Sequence, residues 1–309
     1  QYFCKINEVL QKMINNKLTG MGVALITPFK SDESVDFDAL ARLVEYQIKN
    51  GTDYLVVLGT TAETPTLTVQ EKEEVTRFVI QCAAIRIPIV LGVAGNNTKA
   101  VVEKLKTTDF SGIDAILSVT PYYNKPSQEG IYQHYAAIAK ASPLPIVLYN
   151  VPGRTGVNML AETTLRLAKE FNNICAIKEA SGNFSQIDDI IKNKPADFMV
   201  ISGDDGITFP LITLGAVGVI SVIGNAFPSE FSRMVRLGLQ GDYKSARLIH
   251  HHFNELIQLL FVEGNPAGVK SMLAVMGFID NTLRLPLVPN TIKTYEKIRV
   301  VLNELNIKC

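Results

Sequence analysis

Eight short apolar runs recur along the chain and alternate with longer segments whose apolar positions repeat at helical spacing. The runs are Gly22–Ile26, Tyr54–Leu58, Pro88–Gly92, Ala115–Val119, Pro145–Tyr149, Ile174–Lys178, Phe198–Ser202 and Val217–Val222. Nearly continuous in Val, Ile and other apolar residues, they have the character of strands buried on both faces, as in a parallel sheet. Between them, Phe37, Leu40, Val44 and Ile48 share a helical face behind Asp36, a side chain suited to cap the first turn, and Gly51 is placed to end that helix. Thr68 and Glu71 form the S/T-x-x-E pattern of a capping box, opening a helix that runs to about residue 84. Further helices are predicted over 98–108, 128–141, 160–170, 184–193 and 205–214.

A strand followed by a helix, eight times over at a period of roughly 25–30 residues, predicts an α/β fold of the (β/α)8 TIM-barrel type. The competing open, doubly wound sheet would carry a glycine-rich phosphate turn after its first strand, whereas Ile26 is followed by Thr27-Pro28-Phe29-Lys30. From about residue 228 the pattern is helical to the end. The expected organisation is an N-terminal leader or extension over 1–19, a catalytic barrel over 20–227, and C-terminal helices over 228–309, two or three of them packed outside the barrel. Met13 resembles a natural start, which makes residues 1–12 a leader, an upstream translation or a cloning remnant.

Composition narrows the functional classes. Lys+Arg and Asp+Glu are equal at 30 each, so no electrostatic footprint marks a nucleic-acid partner or an anionic membrane. No apolar stretch reaches the roughly eighteen residues that span a bilayer. The cysteines Cys4, Cys82, Cys175 and Cys309 are scattered without metal-ligand spacing, which fits a reduced, cytoplasmic setting. His250-His251-His252 reads as a solvated helix face, because residues one and two apart on a helix diverge. For the same reason Asp188-Asp189 and Asp204-Asp205 read as helix N-terminal groups. Neither a metal nor a cofactor is expected.

In such a barrel, chemistry belongs at the C-terminal ends of the strands. Gly59-Thr60-Thr61-Ala62-Glu63 follows strand two, Thr120-Pro121-Tyr122-Tyr123 follows strand four, and Tyr149-Asn150-Val151-Pro152-Gly153-Arg154 ends strand five. Lys178 ends strand six, Gly203-Asp204-Asp205 follows strand seven, and Ser221 ends strand eight. A lysine delivered by an apolar strand enters a partly dry site, where burial disfavours the ammonium form and frees an amine that attacks carbonyls. A nearby tyrosine and threonine hydroxyls can then move protons and hold a small carboxylate. Taken singly, each residue has a plainer reading: a lysine leaving for solvent, a tyrosine capping the core, a turn threonine. Their joint occurrence at strand ends points to Schiff-base carbonyl chemistry.

Five motifs in order carry a resemblance: Gly59-Thr60-Thr61-Ala62-Glu63, Val119 to Pro126, Tyr149 to Gly156, Ile177-Lys178-Glu179-Ala180-Ser181-Gly182 and Ser202-Gly203-Asp204-Asp205. Over about residues 20–309 the chain resembles the bacterial dihydrodipicolinate synthase family. That resemblance implies condensation of pyruvate with aspartate 4-semialdehyde on the way to diaminopimelate and lysine, by a homotetramer built as a dimer of dimers. It implies that Lys178 forms the imine with pyruvate and that Tyr149 donates and accepts protons. Thr60 would relay them, with Tyr123 reaching across a dimer interface. Thr61, Ile220 and Gly203 would contact pyruvate, and Arg154 would hold the semialdehyde carboxylate. Related lyases such as N-acetylneuraminate lyase share the lysine and tyrosine, but a sugar acid offers no second carboxylate for Arg154. A third reading is a retired barrel that senses a keto acid.

Two positions depart from the family pattern. Ala62 stands where glycine is usual, and its methyl would strain a turn that needs unusual backbone angles. In lysine-inhibited relatives an effector pocket uses asparagine, tyrosine, histidine and glutamate. Asn96 and Tyr122 match that set, but Val69 and Lys72 replace histidines and Ala100 replaces the glutamate, so weak or absent inhibition by lysine is expected.

Overall fold

The computed structural model describes residue 14 and residues 17–304. Eight parallel strands pair in chain order and close into a barrel: β1 (Gly20–Ala24), β2 (Tyr54–Val57), β3 (Ile89–Gly92), β4 (Ala115–Val119), β5 (Ile146–Asn150), β6 (Ile174–Glu179), β7 (Met199–Ser202) and β8 (Gly218–Ser221). Each predicted run supplies one strand, so the expected TIM barrel is present. The largest slip is at β1, which begins and ends two residues before the predicted run. Apolar character continues through Ile26, but its N–H leaves the ladder to donate to Asn225 Oδ1 at 3.1 Å.

The outer helices are α1 (Phe37–Lys49), α2 (Val69–Ala83), α3 (Thr98–Thr107), α4 (Gln128–Ala141), α5 (Ala161–Glu170), α6 (Phe184–Asn193), α7 (Thr208–Leu214) and α8 (Pro228–Leu239). Asp36 caps α1, and Thr68 and Glu71 close the capping box of α2, as the sequence predicts. The predicted helix 205–214 is a 3-10 turn over Asp205–Ile207 followed by α7.

The expected boundary at 228 coincides with the start of α8, which packs on β1 and β8 beside the barrel. The extension beyond it comprises α9 (Tyr243–Phe261), α10 (Ala267–Val275) and α11 (Ile292–Glu304). At the other end, Ile14 and Leu18 are buried among the side chains of the barrel interior, so the stretch before residue 20 is not wholly separate from it. An apolar plug is needed there because the strand bottoms enclose side chains that would otherwise meet water. The expectations for residues 1–12, and Cys4 and Cys309, lie outside the described residues.

Side chains alternate along each strand, and that alternation sorts the core into layers. Tyr54 and Val56 of β2, Val147 and Tyr149 of β5, and Ala176 of β6 turn toward the barrel axis. Leu55, Val57, Ile146, Leu148 and Ile177 turn outward beneath the helices. A further apolar cluster joins β1 and β8 to α8 and the extension. His250 departs from its expectation: it is buried beside Phe209, with ring centroids 5.7 Å apart, and burial lowers its pKa. Only His251 and His252 of that tract are exposed.

Candidate active site

The register of β5 against β6 sets Tyr149 directly beside Lys178 and Asn150 beside Glu179. Because Val147 and Ala176 face the axis, the residues two further on, Tyr149 and Lys178, do so as well. Lys178 is 5% exposed, and its Nζ lies 4.2 Å from the centroid of the Tyr149 ring. The alternate residues face away and form a buried polar network. Glu179 accepts hydrogen bonds from Ser181 N–H at 2.8 Å, Asn150 Nδ2 at 3.2 Å and Gln186 Nε2 at 3.1 Å. Asn150 also binds the Asn158 side chain and the Met159 backbone, so one network ties the tops of β5 and β6 to the chain that follows β5. Burial raises the Glu179 carboxyl above its ordinary range, with hydrogen bonds from Ser181, Asn150 and Gln186 opposing the shift.

Room beside Lys178 depends on Gly203. A Cβ there would meet Ala180 Cβ at 2.8 Å and Lys178 Cε at 3.0 Å, so even an alanine would press on the lysine stem. Ile220 on β8 is buried in the same interior layer.

The threonine pair is held differently. After β2 the chain makes a 3-10 turn over Thr60–Ala62, and the left-handed conformation falls on Glu63 (φ 54°, ψ 33°). Ala62 has no positive φ, so the strain expected of its methyl does not arise. Non-glycine residues with positive φ are uncommon, and Leu58, Glu63 and Tyr123 all flank this site. The extension grips the turn. Asn265 Nδ2 donates to Thr61 Oγ1 at 3.0 Å, which leaves the Thr61 hydroxyl proton free to be given to an acceptor. The Asn265 carbonyl accepts from Arg154 Nη2 at 3.3 Å. Glu63 and Lys270 form an ion pair with both side chains 0% exposed. Burial pulls the Lys270 ammonium down to about 8, against the pull of Glu63.

A cavity of about 350 Å³ opens at this mouth, walled by Thr60, Lys72, Lys104, Tyr122, Tyr149 and Arg154 among others. Lys178, Thr61 and Ile220 are buried and form no part of its wall, so the cavity meets the Lys178–Tyr149 pair at the tyrosine. Tyr123 does not join the cavity of its own chain: its ring is 86% exposed and its N–H donates to Thr155 O at 3.3 Å. Asp204 caps the turn after β7, as expected, but Asp205 does something else. Its Oδ2 accepts the N–H groups of Val222 and Ile223, both at 2.9 Å, tying the end of β7 to the end of β8. Among the described residues no cluster of three or more His, Cys, Asp or Glu side chains is placed to hold a metal ion.

Sequence reasoning missed Asn265, Lys270 and the role of Glu63. A signal existed for Lys270, the one charge in the mostly apolar run Ala267 to Ala274, which calls for a buried partner. Gly264-Asn265-Pro266 announces a turn but not its destination.

Comparison with known proteins agrees with this geometry. The profile of the Dihydrodipicolinate synthetase family matches residues 17–305. The 4-hydroxy-tetrahydrodipicolinate synthase of Parabacteroides distasonis is 75% identical over 297 residues, covering 96% of this chain and all of the relative. A crystal structure of dihydrodipicolinate synthase from Aquifex aeolicus superposes with a TM-score of 0.91 at 42% identity, covering 94% of this chain and 99% of that one. The chloride-inhibited enzyme of Acinetobacter baumannii, solved in complex with pyruvate, gives the same TM-score of 0.91 at 42% identity, with 94% and 99% covered. The chain belongs to the dihydrodipicolinate synthetase family, and its activity is 4-hydroxy-tetrahydrodipicolinate synthesis.

Proposed function

We propose that Lys178 carries this reaction by forming an imine with pyruvate and that Tyr149, Thr60, Thr61 and Arg154 divide the remaining work. The activity belongs to lysine and diaminopimelate biosynthesis. The observation that carries the division is the Lys178–Tyr149 pair, set side by side by strand register and facing the axis at a cavity walled by Thr60 and Arg154.

The Lys178 amine adds to the pyruvate ketone and water leaves, giving a protonated imine. That nitrogen draws electrons from the neighbouring methyl, which loses a proton to become the carbon nucleophile of an enamine. The enamine carbon attacks the aldehyde of aspartate 4-semialdehyde. Tyr149 gives and takes the protons of these steps, and Thr60 on the same cavity wall passes them on. Thr61, with its lone pair engaged by Asn265, donates to the pyruvate carboxylate. Ile220 and Gly203 bound the pocket around the lysine stem. Arg154 offers its guanidinium fork to the semialdehyde carboxylate. The exposed ring of Tyr123 is available to the site of a second copy, consistent with a dimer of dimers.

No helix among the described residues is long and apolar enough to cross a membrane. Among the described residues Cys82 and Cys175 are free thiols, and burial pushes Cys175 up to about 12.

Borohydride reduction in the presence of pyruvate tests the imine. The parent should gain an irreversible adduct on the peptide containing Lys178, and Lys178→Ala should not. A parent that stays unmodified and active refutes the mechanism.

A further inference from the structure

The Glu63–Lys270 ion pair sits where only one residue, Ala62, separates it from the threonines that meet pyruvate. Each partner makes further contacts that cross the molecule. Lys270 Nζ donates to Thr282 O at 2.9 Å and lies 4.1 Å from the Phe29 ring centroid. Glu63 Oε2 accepts the Arg284 N–H at 3.1 Å. The Arg284 guanidinium covers the other side of the interaction: it lies 4.4 Å from the same Phe29 ring, pairs with Glu71 of the α2 capping box at 2.6 Å and donates to Thr66 O at 3.2 Å. All of these extension residues converge on the segment from Gly59 to Glu71.

A buried ion pair is a poor source of stability, since the desolvation of both charges offsets their attraction and apolar replacements are commonly as stable. What such a pair supplies is geometry. Glu63 is a non-glycine residue in the left-handed region, a conformation that persists only when its surroundings over-determine it. Among the described residues its carboxylate is met by Lys270 and the Arg284 N–H. Releasing it would free the turn to relax toward ordinary backbone angles, carrying Thr60 and Thr61 with it.

We propose that Glu63 and Lys270 are positioning residues, a buried pair through which the C-terminal extension holds the Thr60–Thr61 turn in the geometry that binds pyruvate. This rests on the pyruvate-binding role given to Thr61 above. The pair touches neither substrate. It acts on the pyruvate side of the site and leaves the Arg154 side, which hangs from a different turn, almost unaffected.

The test uses the full chain with Glu63→Gln and Lys270→Met combined, which removes both charges and keeps the volume. The double variant should fold with a parent-like Tm, and its pyruvate KM should rise roughly ten-fold, the scale of a misplaced hydrogen bond to a charged group. Its semialdehyde KM should stay within about two-fold of the parent, whereas partial unfolding would lower kcat and leave both KM values alone. Thr61→Val, measured alongside, should raise the pyruvate KM by a similar factor. If Thr61→Val does so and the folded double variant does not, the positioning role is overturned and the threonine's role stands. If Thr61→Val has no effect, the threonine's role falls and the positioning role with it. A double variant that cannot fold also overturns the proposal, because the pair would then serve the fold and not the turn. An equal rise in both KM values does the same.

Discussion

The two halves of the mouth are built on different principles. On the β5–β6 side, Tyr149 and Lys178 are placed by backbone ladder and period-two alternation, and the network around Glu179 is drawn from one strand–helix–strand stretch of chain, Asn150 to Gln186. On the β2 side, Thr60 and Thr61 ride a turn whose contacts come from the extension, some 204 and 221 residues away along the chain for Asn265 and Arg284. Main-chain ladders place the strand side, whereas the turn, closed locally by Ala62 N–H to Gly59 O and Glu63 N–H to Thr60 O, is tied to the rest of the molecule by side chains. Catalysis through an imine needs the first to be invariant, whereas substrate affinity can be set by the second.

The largest effects should lie on the strand side. Lys178→Ala is expected to lower kcat by at least about 10³-fold with the Tm retained, since no other amine reaches the axis beside Tyr149 in the described site. Tyr149→Phe should cost about 10²–10⁴-fold in kcat while the borohydride adduct still forms, which separates proton transfer from imine formation. If Tyr149→Phe were nearly as active as the parent, the strand side would lose its claim to the chemistry.

Arg154→Ala should raise the semialdehyde KM by roughly ten- to a hundred-fold and leave the pyruvate KM alone, as steady-state kinetics with each substrate varied would report. Paired with Thr61→Val it would divide the two carboxylates between two turns.

A smaller effect concerns stability. Burial raises the Asp205 carboxyl to about 6 while its Oδ2 accepts two N–H groups that join the β7 and β8 ends. A carboxyl with a folded pKa above its unfolded one binds more protons when native, so its contribution is fully present below about pH 4 and is lost as pH rises through about 6. The loss is on the order of 3 kcal/mol at most. Asp205→Asn should flatten the fall in Tm between those pH values; an unchanged slope would place the titration elsewhere.

The smallest expected effect is none. Lys72 lines the cavity, and its ammonium would oppose a cationic effector there. Submillimolar lysine should leave the steady-state rate unchanged, and inhibition there would contradict this.

How much was legible follows the same division. The strand runs named all eight strands, and capping chemistry at Asp36 and Thr68 named two helix starts, because these signals are local. Motif resemblance singled out Thr60, Thr61, Tyr149, Arg154 and Lys178 without any knowledge of their supports. The seat of α8 on β1 and β8 was not legible, because α8 is as amphipathic as the helices after it. His250 failed for a related reason: a tract of three polar residues says nothing about which one a neighbouring helix will cover.

By itself the sequence determined the barrel, the strand ends on which the reactive groups stand, and the period that turns Tyr149 and Lys178 to one side. Period and register are properties of a few adjacent residues, so a linear pattern can carry them. Only the tertiary structure decided that Asn265 engages Thr61, that the left-handed conformation of the turn falls on Glu63, and that Lys270 answers the Glu63 charge. Those are pairings between side chains distant along the chain, and their energies depend on shared burial that no single segment contains.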